Sequence, residues 1–240
     1  MLEQLKKDVC EANLRLVREG LVVRTWGNAS GLDRSRGLMV IKASGVPYRG
    51  MSSRHMVVVE LGTGKVIGGT LRPSSDAPTH RVLYEAFGDT GGIVHTHSLY
   101  ATAWSQAHRS IPPLGTTHAD YFAGPVPCTR PLRPEEIVEE YEANTGRAII
   151  ELFAGTDPLS VPAVLVAGHA PFSWGSDVAA AVEHAVIVEH VARLASETLA
   201  IAPGITGISE ELLAKHFKRK HGPGAYYGQK SPAAHGGRRR

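Results

Sequence analysis

The sequence predicts an α/β protein folded as one domain, with the strands of a single sheet interspersed among amphipathic helices. Three observations predict it. Apolar residues recur at helical spacing in several separate segments, short apolar runs of strand length lie between them, and no internal repeat or linker divides the chain. A length of 240 residues is ample for one large domain with a proper core.

The elements follow in order. Leu2, Leu5, Val9, Ala12 and Leu16 repeat at helical spacing with Lys and Glu between them, and Gly20 stands where a helix stop is expected. From Leu21 to Ile67 the chain changes to short apolar runs, Leu21 to Val23, Leu38 to Ile41 and Met56 to Glu60, which read as strands separated by glycine-rich turns. Gly62-Thr63-Gly64-Lys65 lacks the spacing and the following Ser or Thr of a nucleotide loop, so it reads as a hairpin turn. Pro78 suits the first turn of a helix whose stripe of Val82, Leu83, Ala86 and Phe87 stops at Gly88 and delivers the chain to a strand ending in His95. Another helix begins near Leu99, a proline-broken loop surrounds Ile111 to Pro113, and helical patterns occupy 135–153. Ala163 to Val166 reads as a buried strand, and Ser176 or Asp177 caps a long Ala/Val-rich helix ending near Ala202-Pro203. The domain is expected over residues 1–229, with a disordered basic tail at 230–240.

Composition narrows the function. Two cysteines, Cys10 and Cys128, exclude a disulfide framework and a cysteine-rich zinc module, and both read as packing residues. With neither a signal-like leader nor a long apolar run, the expected location is the cytoplasm, with no membrane involvement. The net charge is only +3, with Arg238, Arg239 and Arg240 contributing much of the excess, so a global nucleic-acid footprint is absent. No Gly-x-Gly-x-x-Gly follows a strand, which leaves a dinucleotide cofactor without support.

The chemistry concentrates in a few segments. In Ile93-Val94-His95-Thr96-His97 two imidazoles share one face of a strand end, half of a divalent-metal site. His169 follows the apolar run Val164-Leu165-Val166 and adds a third candidate donor. Asp76 stands where it serves either as a helix N-cap or as a metal ligand, and Ser74 and Ser75 at the same helix start suit an anion. Trp26-Gly27-Asn28-Ala29-Ser30 and Ile41-Lys42-Ala43-Ser44-Gly45 are turn junctions rich in small polar donors, with Lys42 a point charge for phosphate. Gly115-Thr116-Thr117-His118-Ala119-Asp120 supplies a further carboxylate. His216 to His221 combines cations with Tyr226 and Tyr227 nearby; the cluster reads as a solvated helix face rather than a nucleic-acid surface, with tyrosine the sharper alternative as a proton donor.

Together these segments resemble the class II aldolase/epimerase family. The resemblance rests on Trp-Gly-Asn-x-Ser, Ile-Lys-x-Ser-Gly-Val, Pro-Ser-Ser-Asp-x-Pro-Thr-His, Gly-Gly-Ile-Val-His-Thr-His, Gly-Thr-Thr-His-Ala-Asp-Tyr-Phe and Ala-Tyr-Tyr-Gly-Gln, running from about Leu2 to Gln229. It implies a three-layer α/β/α fold around a central, largely antiparallel sheet. It also implies a Zn2+ site, open to Mn2+ or Co2+, from Asp76, His95, His97 and His169. Phosphate contacts would come from Gly27, Asn28, Lys42, Ser44, Gly45, Ser74 and Ser75, and further substrate contacts from Thr116, His216 and Arg219. Asp120 and Tyr227 would be an acid/base pair serving the metal of an adjacent subunit in a homotetramer.

The implied activity is interconversion of L-ribulose 5-phosphate and D-xylulose 5-phosphate by retro-aldol cleavage and re-addition at C3–C4. The competing activity is that of a sugar-phosphate aldolase acting on L-fuculose 1-phosphate or a relative, where the family pattern has Glu in place of Asp76. A catalytically dead sugar-phosphate-binding protein would have lost the acid/base groups, which are present. Ala170 replaces a usual glycine, Ala43 a common proline, and Pro223-Gly224 alters the approach to Tyr227.

Overall fold

A computed structural model describes residues 2–228. Gln229 and the expected tail at 230–240 lie outside the described residues. The strands are β1 (Asn28–Asp33), β2 (Leu38–Lys42), β3 (Met56–Glu60), β4 (Val66–Gly68), β5 (Gly92–His95), β6 (Ala163–Leu165) and β7 (Pro171–Gly175). The helices are α1 (Glu3–Arg18), α2 (Ala77–Ala86), α3 (Leu99–Gln106), α4 (Thr116–Ala119), α5 (Pro134–Val138), α6 (Tyr141–Leu152), α7 (Val178–Ile201) and α8 (Glu210–Lys220). The strands form one sheet in the order β4-β3-β2-β1-β5-β7-β6, and each pairing is antiparallel.

Two-residue alternation divides the strand side chains between two cores. Met39, Ile41, Val57, Val59 and Ile93 pack with Leu83 and Tyr84 of α2, Trp104 of α3 and Ile149 of α6. Val40, Val58 and Val94 face the other way, onto Val9 and Leu16 of α1. The long helix α7 serves both cores, Val178 to Ala185 in the second and Val188 to Ala195 in the first. Helices on both faces of an antiparallel sheet are the expected three layers.

The structure corrects several expectations. Leu21 to Val23 is not a strand: Leu21 N–H donates back to the Leu16 carbonyl, and the segment folds into turns behind α1. The first strand is instead Asn-Ala-Ser-Gly-Leu-Asp, whose small residues disguised it. They are small because α1 lies on them; a Cβ at Gly31 would come within 2.8 Å of Leu5 and 3.0 Å of Val9. The strand Pro171–Gly175 was also unforeseen, since proline is admitted only at a strand's first residue or its edge, and here it is first. The helical patterns expected over 135–153 are present as two helices, α5 and α6, separated where Glu140 takes φ 50°.

Asp177 caps α7, its side chain accepting from Ala180 N–H at 2.8 Å. That capped end presses onto β5 and β7: a Cβ at Gly92 would lie 2.4 Å from the Asp177 carbonyl carbon, and one at Gly175 would lie 2.6 Å from Ala180 Cβ. Backbone on backbone has no flexible end to move aside. Gly92→Ala is therefore expected to cost about 1–3 kcal/mol by overpacking, read as a lower urea midpoint; an unchanged midpoint would contradict the close approach.

Candidate active site

A cleft of about 420 Å³ opens where β1, β2 and β5 end near the start of α2. The register explains its contents. Asn28 pairs directly with His95, and His95 with Phe172, so three strands bring an amide, an imidazole and an aromatic ring side by side. His95 stacks on Phe172 with ring centroids 4.2 Å apart. Its Nδ1–H donates to the Pro171 carbonyl at 3.0 Å, which leaves Nε2 as the free lone pair. That Nε2 faces His97 Nε2 at 3.1 Å. His169 completes the group: one donor atom from each of the three histidines lies within 4.8 Å of the others. His169 comes from the turn between β6 and β7 rather than from a strand end; Val166 N–H and the Ala170 carbonyl close that turn, and Ala170 is fully buried.

Burial keeps these imidazoles uncharged. It presses His95 down to about 3 and lowers His97 and His169 as well. A neutral imidazole is the form that binds a metal. Asp76 lines the same cleft. It occupies the N-cap position of α2 but makes no side-chain cap, so the capping alternative is set aside. Its Oδ2 accepts from Asn28 Nδ2 at 2.6 Å. Burial works to raise the Asp76 carboxyl, yet His95, His80 and the Asn28 amide hold it below its ordinary value. The three imidazoles fit a divalent cation by donor type, and Asp76, outside that group of three, lines the same cleft as an ionised carboxylate.

The other end of the cleft is built for an anion. Lys42 is only 2% exposed. Among the described residues its Nζ donates only to the carbonyls of Thr25 at 3.3 Å and Ala43 at 3.4 Å, and it lies 5.0 Å from the Tyr48 ring centroid. Burial lowers its pKa, with Asp76 opposing. A buried ammonium with no carboxylate on it is costly unless an anion arrives. Gly27, Ser44, Gly45, Ser74 and Ser75 line the cleft around it. Tyr48 Oη donates to the carbonyls of Trp26 and Gly27 at 2.9 Å and so braces the loop. Gly27 is required there: its φ is +77°, and a Cβ would lie 2.9 Å from the His95 carbonyl oxygen.

The remaining candidates gather elsewhere. Asp120 caps the C-terminal end of α4, its N–H donating to the Thr116 carbonyl at 3.0 Å. Arg219 grips both carboxylate oxygens, Nε to Oδ1 at 3.0 Å and Nη2 to Oδ2 at 2.7 Å. His216 Nδ1 reaches Oδ1 at 3.0 Å and Lys220 Nζ reaches Oδ2 at 3.3 Å. Burial would raise Asp120, but Arg219, His216 and Lys220 bring it down to about 2. Tyr227 is 61% exposed and lies under the Arg219 guanidinium. The segment expected to be a solvated helix face thus turns His216, Arg219 and Lys220 onto one carboxylate. None of Thr116, Asp120, His216, Arg219 or Tyr227 lines the cleft of its own chain.

Tyr141 and Glu142 do line it, and sequence reasoning had no place for them. Tyr141 opens α6, its Oη 3.5 Å from His169 Nδ1. The sequence carries no signal for them: Glu139 and Glu140 are ordinary helix formers, and the break that brings Tyr141 and Glu142 to the cleft is made by the Glu140 backbone at φ 50°. Beneath Asp76 lies another unforeseen group: His80 Nδ1 and Tyr84 Oη both bond Ser30 Oγ, at 2.7 and 2.9 Å, and His80 Nε2 is buried with no partner among the described residues.

The Class II Aldolase and Adducin N-terminal domain family matches residues 7–196. L-ribulose-5-phosphate 4-epimerase UlaF of Salmonella paratyphi A (strain ATCC 9150 / SARB42) and that of Salmonella typhi are each 54% identical over 229 residues, covering 95% of this chain and 100% of the relative. Among solved structures, an L-fuculose 1-phosphate aldolase superposes with a TM-score of 0.75 at 23% identity, covering 89% of this chain and 94% of that one. L-fuculose-1-phosphate aldolase from Thermus thermophilus gives 0.66 at 22% identity, with 85% and 99% covered. At those identities the structural likeness speaks to the fold alone.

Buried His80 makes the fold sensitive to acid. Burial presses it down to about 4, against about 6.5 in an unfolded chain. Between those values the unfolded state takes up the proton, so this contribution is complete above about pH 6.5 and is lost as pH falls toward about 4. Urea melts of metal-free protein should lose about 3 kcal/mol over that window from this group. His80→Gln should make the dependence shallower, the buried His95, His97 and His169 keeping the rest, and an equally steep profile in that variant would remove His80 as a source.

Proposed function

The chain belongs to the class II aldolase family, and from that premise we propose that it is a zinc-dependent L-ribulose-5-phosphate 4-epimerase, interconverting L-ribulose 5-phosphate and D-xylulose 5-phosphate. The observation that carries this reading is the junction in one cleft of three uncharged histidines, Asp76 and the unpaired buried cation Lys42. Such a cleft takes a sugar phosphate by both ends. The relatives at 54% identity bear the epimerase name. Asp76 also favours epimerase over the sister aldolases, whose pattern places Glu there: the shorter side chain suits a permanent ligand, the longer one a base that leaves the metal.

The reaction sets the requirements. C4 of a ketopentose phosphate bears no acidic hydrogen, so inversion there calls for breaking and remaking the C3–C4 bond. His95, His97, His169 and Asp76 would hold the zinc ion, which would supply Lewis acidity for the negative charge that develops on the three-carbon fragment. Lys42, with Ser44, Ser74 and Ser75, holds the phosphate of the two-carbon aldehyde, so that it turns over without departing. Inversion then needs a proton carrier for the C4 oxygen on each face. We assign these to Asp120, ionised and therefore an acceptor, and to the Tyr227 phenol as donor.

We place that pair in the cleft of a neighbouring subunit, in a homotetramer. Support comes from their position: both lie outside the cleft of their own chain, and Tyr227 is exposed. We read residues 1–229 as one domain acting in the cytoplasm; no helix among the described residues is long and apolar enough to cross a membrane.

Zinc-loaded protein given L-ribulose 5-phosphate should yield D-xylulose 5-phosphate with little free glycolaldehyde phosphate, and a chelator should stop it. Accumulating aldehyde would assign the protein to the aldolases instead. Asp120→Asn should retain zinc while losing roughly 10²- to 10⁴-fold in kcat, and full turnover would remove Asp120 from the mechanism. Lys42→Met should raise KM by roughly 10- to 100-fold, the worth of one charge-assisted contact; an unchanged KM would place the phosphate elsewhere.

A further inference from the structure

Asp120 has more cations than neutralisation requires. Arg219 already binds both of its oxygens, at 3.0 and 2.7 Å, and His216 adds a contact at 3.0 Å. Lys220 nevertheless brings a second permanent cation to Oδ2, at 3.3 Å, with its side chain only 17% exposed. Two adjacent cations on one carboxylate repel each other, so the ion pair alone does not account for Lys220. What it touches besides Asp120 does. Its Nζ lies 4.4 Å from the ring centroid of Tyr121 and 4.6 Å from that of Tyr227.

Among the described residues Tyr227 has little else to hold it. It is largely exposed, its backbone N–H and that of Tyr226 both donate to the Arg219 carbonyl, and its ring is met by Arg219 at 4.9 Å and Lys220 at 4.6 Å. Cations over an aromatic face attract it through the ring quadrupole. Lys220 thus contacts the Asp120 carboxylate and the Tyr227 ring together, as the Arg219 guanidinium also does, and it adds a third contact, with the Tyr121 ring on the residue next to Asp120. His221, the remaining titratable neighbour on this helix end, turns its Nε2 to the Asp120 backbone carbonyl at 2.9 Å and leaves the carboxylate alone.

We propose that Lys220 is a positioning residue that locks Asp120 and Tyr227 into one unit. This rests on the reading of those two as the acid/base pair. The C-terminal segment carrying Tyr227 is then registered on α4 by charge rather than by packing. Proton acceptor and proton donor reach the neighbouring cleft with a fixed separation, which is what transfer on opposite faces of one aldehyde demands.

The test uses the full-length zinc-loaded protein and its Lys220→Met, Lys220→Arg and Tyr121→Leu variants. Lys220→Met should lower kcat by roughly 10- to 100-fold with KM little changed, the cost of a misplaced catalytic group. Lys220→Arg should restore most of the loss, and Tyr121→Leu should reproduce part of it, which keeps the idea open to refutation should Lys220→Met fold poorly. Carboxyl carbon NMR, with Asp120→Asn to identify the signal, should show Asp120 titrating at higher pH in Lys220→Met, because one of the cations pressing it down is gone. Full kcat in Lys220→Met, or a loss of kcat with no movement of that titration, would overturn the positioning role alone. Wild-type protein that leaves L-ribulose 5-phosphate untouched would overturn the underlying reading, and with it this role, whatever the titration does.

Discussion

The antiparallel pairing of β1 with β5, Asn28 opposite His95, is the constraint on which the cleft depends. Directly opposed residues share a face of the sheet, and so do residues two apart. Asn28, Ser30, Ile93 and His95 therefore look toward α2. That is why Asn28 reaches Asp76 at the head of α2 and Ser30 reaches His80 and Tyr84 one and two turns later. A register slip of one residue would turn all of these to the α1 side, where Leu5 and Val9 leave room for little more than glycine. The capped end of α7, seated on Gly92 and Gly175, helps to hold β5 and β7 in that register.

Two unbalanced charges stand out from an otherwise conventional protein. Lys42 is a buried cation with only carbonyls and a ring for company, and Asp120 is an anion with too many cations. Both arrangements are poor choices for stability alone, since an ammonium without a counter-ion and crowded like charges each cost free energy. Sites that depart from local consistency in this way are where function is expected. The two departures are also complementary in kind. In the proposed function, one leaves a place for a phosphate and the other prepares an ionised acceptor.

The sequence was legible where side-chain chemistry and periodicity coincide. Leu38 to Ile41 and Met56 to Glu60 announce themselves as strands by apolar runs, α1 by its stripe, and the histidines by lying next to strand ends. It was illegible where tertiary contact chose the residue. Asn-Ala-Ser-Gly carries no strand signal because α1 demands small side chains there, and Pro171 hides a strand because its missing N–H matters only if its position in the sheet is known. Asp76 could not be told from an N-cap until its carboxylate was seen on Asn28. Lys220 and its neighbours looked like a solvated face because the folding-back of α8 onto α4, distant in sequence, leaves no periodic trace.

The position of Asp120 bears on how a shared site would work. A carboxyl held at about 2 remains ionised at any physiological pH, so in the proposed role Asp120 would enter the reaction already an acceptor. So acidic a group is a weak base in isolation, and a proton placed on it is readily surrendered. A pKa so far below neutrality is not where a general base works best, so fixed placement beside the C4 oxygen, rather than basicity, is what Asp120 would contribute in the proposed role. The same cations that weaken Asp120 as a base keep it fixed on α4. In the proposed cleft supplied by two chains, a fixed acceptor beside a fixed phenol would serve both directions of an epimerisation with one geometry.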